Sequence, residues 1–172
     1  MAQDVRIRIL DAGDAPVFKE LRLMGLRLNP EAFGASYEDA VKAGDDYWTS
    51  LLQRLPGKTS FTLGAFAGEE LIGIVGFYHP GGLKAGHKGT LVSMYVHPEK
   101  RQGGVGKKLV QALIERVREE KSAEQIQLAV VTTNEAAAAL YKSCGFEVYG
   151  EEKRALKVAG QYYDEWLMVL FL

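Results

Sequence analysis

The order of apolar and polar residues predicts that the chain begins with a strand and a helix. Over residues 5–9, apolar side chains alternate with arginines, which is typical of a half-buried strand. Asp14 is placed to cap a helix, with Pro16 in its first turn and Asn29-Pro30 at its end. The apolar face predicted for this helix consists of Val17, Leu21, Met24 and Leu28.

A second helix and three strands are predicted in the middle of the chain. Asp45 can cap the helix and Pro56-Gly57 can end it. Its predicted apolar face consists of Trp48, Leu51, Leu52 and Leu55. Strands are expected at 61–67, 71–78 and 90–96, with a turn at 68–70 between the first two and a polar, glycine-rich loop at 79–89 before the third.

Helices and strands alternate in the second half. An amphipathic helix is predicted from the apolar stripe Val105, Leu109, Val110, Leu113, Ile114 and Val117. A strand at 126–131, a helix at 135–144 and two long strands at 146–157 and 162–172 follow. This order predicts an α/β (mixed α+β) fold, in which a central mixed sheet of about six to seven strands has helices on both faces. We expect residues 1–172 to form a single domain.

Composition restricts the function classes. The 172 residues carry a net charge of -1, whereas a general nucleic-acid binder has a basic excess. No apolar run is long enough to span a bilayer, and the first residues lack the pattern of a signal peptide. The single cysteine, Cys144, predicts a reducing, cytoplasmic location, and the histidines lack metal-ligand spacing. We therefore expect no nucleic acid, no membrane and no metal among the partners; a homodimer stays open.

The stretch from Met94 to Lys108 contains the strongest functional signal. A strand ends, a glycine-rich turn follows and a long helix begins. Such glycines can direct successive N–H groups at one anion, and the helix N-terminus adds partial positive charge. Lys107 and Lys108 fall in the first helical turn, after Lys100 and Arg101, where each cation is disfavoured by about 0.3–1 kcal/mol. The pattern favours a phosphate site, with a plain connecting turn as the alternative.

The turn resembles the pyrophosphate motif of one enzyme superfamily. A P-loop would need glycine at Arg101, and a dinucleotide fingerprint would need a small residue at Leu109. Arg101-x-x-Gly104-x-Gly106 instead resembles the Gln/Arg-x-x-Gly-x-Gly/Ala motif of the GNAT N-acetyltransferases. The resemblance implies that acetyl-coenzyme A is the co-substrate. It also implies that the coenzyme binds to Met94, Tyr95, Val96, Arg101, Gln102, Gly103, Gly104, Val105, Gly106 and Lys107.

A second motif lies one helix and one strand downstream. Residues 134–146 are similar to the Asn-x-x-Ala-x-x-Leu-Tyr-x-x-x-Gly-Phe helix of the same superfamily. The resemblance implies that Asn134 reaches the pantetheine arm or an enclosed water, although it can also cap the helix. Tyr141 would be the catalytic general acid toward the coenzyme A sulfur, with core packing as the alternative. Gln102 and Cys144 depart from the usual residues, and neither is needed for acetyl transfer.

The resemblance implies N-acetyl transfer to a primary amine by direct attack on the thioester, without a covalent enzyme intermediate. On the order of one alkylamine in a thousand is neutral at pH 7, so a base must remove a proton. Glu38, Ser93, Tyr95 or a water are candidates. A non-catalytic acyl-coenzyme A-binding or interaction module is the alternative function.

The acceptor is expected to bind between residues 29–39 and 79–89. Glu31, Glu38 and Asp39 indicate a cationic acceptor, and solvated loop charge explains them equally well. A small-molecule amine, an amino acid and a peptide amine all stay open.

Overall fold

A computed structural model describes residues 4–53 and 58–172. Its strands are β1 (Val5–Ile9), β2 (Phe61–Ala67), β3 (Glu70–Tyr78), β4 (Lys88–Val96), β5 (Gln125–Val131), β6 (Glu147–Val158) and β7 (Gln161–Phe171). Its α-helices are α1 (Ala15–Leu28), α2 (Tyr37–Ala40), α3 (Asp45–Leu52), α4 (Val105–Glu120) and α5 (Glu135–Ser143). The predicted contribution of Leu55 and the stop at Pro56-Gly57 lie outside the described residues.

The seven strands form one mixed sheet in the order β1-β2-β3-β4-β5-β7-β6. Only β4 and β5 are parallel neighbours, and their pairing is limited to residues 88–90 of β4 with 125–127 of β5. Beyond this point, β4 keeps its pairing with β3 and β5 keeps its pairing with β7. The two central strands therefore separate, and the sheet opens between their C-terminal halves.

Helices cover both faces of the sheet, as the sequence predicts. On one face, α4 and α5 pack on the central strands through a core that includes Leu109, Val117 and Tyr141. On the other face, α1 and α3 build a second core around Phe18 and Trp48. Burial of apolar side chains on both sides is the main stabilising term for such a layered sheet.

The predicted stripe of α4 is confirmed, whereas the predicted faces of α1 and α3 are partly wrong. All six apolar residues of the α4 stripe are buried. In α1 the buried residues are Ala15, Phe18, Leu21, Gly25 and Leu26, while Val17 and Leu28 are exposed. In α3, Leu51 is exposed. Tertiary contacts decide these faces, since α1 has apolar residues on more than one side and Gly25 packs against the Tyr95 ring.

Asp14 occupies the predicted N-cap position of α1, but neither predicted aspartate side chain makes a capping hydrogen bond to its helix. The Asp14 carboxylate accepts two hydrogen bonds of 2.7 Å from the Arg8 guanidinium and one of 2.9 Å from the Asp11 N–H, so it does not cap α1. Gly44 occupies the N-cap of α3, and Asp45 is its first residue, 3.3 Å from Lys19 Nζ. A nearby cation is a stronger partner for a carboxylate than a helical N–H.

Smaller differences lie at the ends of elements. β3 begins at Glu70, so the preceding turn is shorter than predicted, and β4 begins at Lys88 inside the predicted loop. The last two strands begin one residue away from their predicted starts, and α5 ends at Ser143. The short helix α2, capped by the Ser36 hydroxyl, was not predicted.

The Arg8–Asp14 ion pair predicts a loss of stability in acid. The side-chain hydrogen bonds from Arg8 lower the pKa of Asp14, against a smaller opposing effect of burial. A lowered pKa in the folded state stabilises the protein above the unfolded-state pKa of about 3.9, and this contribution disappears as pH falls through the folded-state pKa. Asp14→Asn should lower the free energy of unfolding by about 1 kcal/mol at pH 7.

Urea denaturation between about pH 2 and pH 7 measures this difference. The two curves should converge in acid, where Asp14 is protonated in both states. The control is Asp4→Asn, because Asp4 is exposed and has no recorded partner within the described residues. A constant difference between wild type and Asp14→Asn down to the lowest pH would show that the charge of Asp14 does not stabilise the fold.

Candidate active site

The glycine-rich turn before α4 presents unpaired N–H groups at the protein surface. Gln102 and Gly104 adopt left-handed backbone conformations, with φ of 67° and 76°. Residues 101–104 are exposed, and in the described part of the chain the N–H groups of residues 103–107 donate to no carbonyl. The first N–H groups of a helix have no intrahelical acceptor, and together with the helix dipole they form a site for an anion.

Gly106 is the point where β4, α4 and α5 meet. A Cβ at this position would lie 3.0 Å from Met94 Cε of β4 and 2.9 Å from Leu140 Cδ1 of α5. A side chain here would require the ends of the Met94 and Leu140 side chains to move, so the three elements pack closely at this glycine. The structure therefore brings both sequence motifs together, next to the opening between β4 and β5.

Arg101 connects the turn to neighbouring elements through three contacts. Its Nε donates to the Val96 carbonyl at 3.0 Å, one terminal nitrogen donates to Asn29 Oδ1 at 3.1 Å, and the guanidinium lies 5.2 Å from the centre of the Tyr95 ring. These contacts connect the end of β4 to the end of α1. Direct contact of Arg101 with a phosphate stays a prediction.

The four cations near the turn have different surroundings. Lys100 Nζ lies 3.6 Å from a Glu70 carboxylate oxygen, and Arg101 has the contacts given above. Lys107 and Lys108 are exposed and have no ion pair within residues 4–53 and 58–172. Their charges therefore add to the positive field of the helix start, which attracts a polyanion.

Asn134 caps α5. Its side-chain oxygen accepts a hydrogen bond of 3.2 Å from the Ala137 N–H, as in an ordinary N-cap. Its side-chain amide nitrogen donates to no described residue. Contact between Asn134 and the pantetheine arm stays a prediction, and this nitrogen would be the donor in that contact.

Tyr141 lies in the core beneath α4, with 6% of its surface exposed, and packs edge-on against Phe146 at 5.9 Å. Its hydroxyl has no hydrogen-bond partner in the described ranges. Burial, with a smaller effect of Cys144, raises the pKa of Tyr141 above its usual range. The phenol therefore stays protonated at neutral pH and can donate a hydrogen bond to a developing thiolate.

An irregularity in β4 determines which side chains reach each face. Ser93 has a φ of 55°, and the β3–β4 register shifts between Ile74 and Gly76. As a result, the consecutive residues Val92 and Ser93 both line a cavity on the α1 side. Left-handed non-glycine residues are uncommon and concentrate at functional sites, at a cost of about 1–3 kcal/mol each.

The three side chains predicted as candidate bases differ in position. Ser93 lines the cavity, whereas Glu38 is exposed in α2 and does not line it. Tyr95 is buried against α1 and Phe33, and its enclosed hydroxyl has no hydrogen-bond partner among the described residues. Burial raises the pKa of Tyr95, against an opposing effect of Arg101, so this phenol is a poor base at neutral pH.

The cavity beside β4 has a volume of about 500 Å³ and lies between α1, α3 and strands β2 to β4. Its walls contain several aromatic side chains, including Phe18, Trp48 and Phe77. Arg22 also lines it. No Asp or Glu does so among the described residues, so Glu31, Glu38 and Asp39 do not give this cavity a negative charge.

Residues 26–146 match the Acetyltransferase (GNAT) family, and this range contains both motifs and their meeting point at Gly106. The chain belongs to this family. Among GNAT structures, it is similar to an acetyltransferase of Streptococcus pneumoniae, with a TM-score of 0.87 and 24% identity over 98% of this chain and 100% of that one. It is also similar to yncA of Salmonella typhimurium, solved with acetyl-CoA, with a TM-score of 0.78 and 20% identity over 98% and 94% of the two chains. These similarities show the fold.

Two curated proteins are related in sequence. An L-methionine sulfoximine/L-methionine sulfone acetyltransferase of Pseudomonas aeruginosa is 34% identical over 51% of this chain and 48% of that protein. The N-alpha-acetyltransferase RimI of Mycobacterium tuberculosis is 29% identical over 73% of this chain and 78% of the relative. The GNAT chain spans about half the length of the first of these relatives.

Sequence reasoning missed the two polar groups in the cavity wall, Arg22 and Trp48. Arg22 belongs to no motif, and Trp48 is predicted only as part of an apolar helix face. No short motif connects α1 with α3, so the sequence does not indicate that these two side chains line one cavity.

The surroundings of His79 are polar groups of the chain. One ring nitrogen contacts the Thr59 hydroxyl and the other contacts the Gly86 carbonyl. In the described part of the chain there is no group of three side chains that could hold a metal ion. Within the same ranges, no helix is long and apolar enough to cross a membrane.

The exposed turn predicts that Gly104→Asp strongly weakens binding of acetyl-coenzyme A. The substitution places a carboxylate beside the N–H groups that would bind phosphate, and like charges repel. Because the backbone at Gly104 is left-handed, with a φ of 76°, the aspartate should also lower the free energy of unfolding by about 1–2 kcal/mol. We expect at least a tenfold increase in Kd, roughly 1.4 kcal/mol, measured by calorimetry with the protein still folded by circular dichroism.

Gly160→Asp is the matched control. Gly160 has a φ of 82°, and like Gly104 it has open space where a Cβ would lie, but it is in the turn between β6 and β7. The control should lose similar stability and keep its affinity. Equal affinities for wild type and Gly104→Asp would mean that the turn only connects two elements.

Proposed function

We propose that this GNAT chain is an acetyl-coenzyme A-dependent N-acetyltransferase that acts on a primary amine by direct attack. The meeting of β4, α4 and α5 at Gly106 is the observation that supports it most strongly. It places a free set of helix-start N–H groups, the opening between β4 and β5, and the Tyr141 helix around one location. The cavity lined by Ser93 lies on the opposite face of β4, where an acceptor can approach the same strand.

The described residues fit acetyl-coenzyme A. The N–H groups of residues 103–107 would hold the pyrophosphate, with Lys107 adding positive charge. The unpaired edge of β4 beyond Thr90 offers backbone groups to the pantetheine arm, and Asn134 can add its amide nitrogen. The bound thioester supplies an activated acetyl group and a thiol leaving group of moderate pKa.

The residues of the chain have two tasks in the reaction. A backbone N–H of the β4 edge can donate to the oxygen on which negative charge develops, and Tyr141 can donate a hydrogen bond to the departing sulfur. Since a thiol has a pKa of about 8.5 and that of Tyr141 is raised above 10, the hydrogen bond is favoured over full proton transfer. The amine proton leaves through water, with the Ser93 hydroxyl accepting a hydrogen bond from the ammonium group.

The relatives support the class of acceptor. One is named for an amino acid derivative and another as an N-alpha-acetyltransferase, so a small-molecule, amino acid or peptide amine fits both. Cys144 is the single cysteine and cannot form a disulfide within the chain, which supports a reducing compartment such as the cytoplasm.

A panel of amines tests the proposal by following thiol release at saturating acetyl-coenzyme A. The panel contains polyamines, amino acids, arylalkylamines and short peptides, and mass spectrometry identifies the acetylated product. Acceleration by at least one amine over the hydrolysis rate without amine supports the enzyme. Tight binding of acetyl-coenzyme A without product from any amine would instead indicate an acyl-coenzyme A-binding module.

Tyr141→Phe should lower turnover by roughly 10²–10⁴-fold, because it removes the hydroxyl donor and keeps the ring. The effect should lie at the lower end of this range, since a thiolate is a tolerable leaving group without help. The affinity for acetyl-coenzyme A should change little. The measurement is the rate of thiol release at saturating substrates, together with its pH profile.

Tyr149→Phe is the control, because Tyr149 lies exposed on β6. It should leave turnover unchanged. If Tyr141→Phe stays within about twofold of wild type, a fraction of one kcal/mol, Tyr141 has only a packing role.

A further inference from the structure

Two hydrogen-bond donors in the cavity wall have no acceptor. Arg22 Nη1 and Trp48 Nε1 are both enclosed, and neither has a hydrogen-bond partner in the described part of the chain. Both residues line the same cavity of about 500 Å³, one from α1 and the other from α3. Guanidinium and indole N–H groups only donate, so each requires an acceptor oxygen when it is removed from water.

No residue of the chain neutralises the Arg22 charge. The cavity lining within the described ranges contains no Asp or Glu, and Arg22 forms no ion pair there. The seven residues outside those ranges, Met1–Gln3 and 54–57, also contain no acidic residue in the sequence. Arg22 as a whole is half-buried, but an enclosed guanidinium nitrogen is normally paired with a carboxylate or a phosphate, so the unpaired Nη1 is unusual.

The aromatic contact of Arg22 leaves its donors unsatisfied. The guanidinium lies 4.5 Å from the centre of the Phe33 ring, which is a favourable cation–π contact. An aromatic face has no lone pairs, however, and it does not replace the oxygen acceptors lost from water. Burial also lowers the pKa of Arg22, in line with an environment that disfavours its charge. A bound anion would stabilise the charged guanidinium and raise its pKa again.

We propose that Arg22, together with Trp48, forms an anion subsite in the acceptor cavity, so that the acceptor is a small amine with its own carboxylate on an apolar body. Such an acceptor is an amino acid with an apolar side chain, rather than a polyamine. The cavity provides aromatic walls for the apolar body through Phe18, Phe61 and Phe77. Lys58, also in the lining and exposed, adds a second positive charge.

The proposed subsite favours a different acceptor from the cationic one that the acidic residues indicate. Glu31, Glu38 and Asp39 are near the cavity in sequence but are absent from its lining. Asp39 is engaged by the Ser36 hydroxyl at 2.9 Å. A polyamine would place a second ammonium group in a cavity whose formal charges are positive. The amine of an amino acid instead brings a compensating negative charge at a fixed short distance.

The inference rests on the proposed function, and matched pairs of amines test it. The pairs are phenylalanine with 2-phenylethylamine, and methionine with 3-(methylthio)propylamine, which differ only in the carboxylate. In wild type we expect kcat/KM to be about 10–100-fold higher for the amino acid of each pair, the value of a hydrogen-bonded charge pair. Arg22→Met should abolish this preference and leave kcat/KM for the decarboxylated amine within about threefold.

Two further variants separate charge from packing. Arg22→Lys keeps the charge without the forked donors and should retain part of the preference. Arg27→Met removes an exposed arginine from the same helix and should retain all of it. Equal kcat/KM for both members of each pair in wild type would overturn the proposal. So would an Arg22→Met variant, folded by circular dichroism, that loses activity equally toward both members.

A binding measurement separates this inference from the proposed function. 3-Phenylpropionate has the carboxylate and ring but no amine, so it can bind without reacting. Calorimetry with protein saturated with coenzyme A should show binding to wild type and at least tenfold weaker binding to Arg22→Met. If this difference is found while no amine is acetylated, the subsite stands and the proposed function fails. If 3-phenylpropionate binds both proteins equally, or neither, while amines are acetylated, the subsite fails and the enzyme stands.

Discussion

The parting of two parallel strands is the constraint on which the rest of this structure depends. β4 and β5 pair over three residues and then separate, although both strands continue. Strand edges inside a sheet have unpaired N–H and C=O groups, which are costly to bury without partners. A sheet that opens at its centre is therefore suited to a ligand with amide groups that can pair with an edge. The packing of α4 and α5 over one face holds the opening in place.

The close approach at Gly106 couples this opening to the anion site. At Gly106 the start of α4 packs closely on Met94 of β4 and on Leu140 of α5. Arg101 adds a second connection, from the turn to the Val96 carbonyl and to Asn29 at the end of α1. The N–H groups of the turn are thus held in a fixed position relative to the strand edge. Such preorganisation favours binding of a ligand that must contact both.

The sequence was sufficient where a local pattern decides the structure, as particular elements show. The stripe of α4 was correct at every position because its period of apolar residues is regular and buried on one side. The N-cap position of Asp14 was correct and that of Asp45 was wrong, and neither side chain caps its helix because each pairs with a cation of another element, Arg8 or Lys19. The face of α1 was rotated because Gly25 fits under the Tyr95 ring, a contact that no helical period contains. The site motifs came from resemblance, whereas Arg22 and Trp48 meet only through tertiary packing.

The irregularity at Ser93 bears on how one strand could contact both proposed substrates. In a regular strand, Val92 and Ser93 would point to opposite faces. Here both line the acceptor cavity, while Met94 and Val96 pack on the α4 side. The strand therefore presents two successive side chains to this cavity, and Met94 and Val96 to the side where the cofactor is proposed to bind. An amine bound against Ser93 and an acetyl group held along the β4 edge would then lie next to each other on the same strand. Direct attack requires this kind of proximity, and a covalent enzyme intermediate has no need to form.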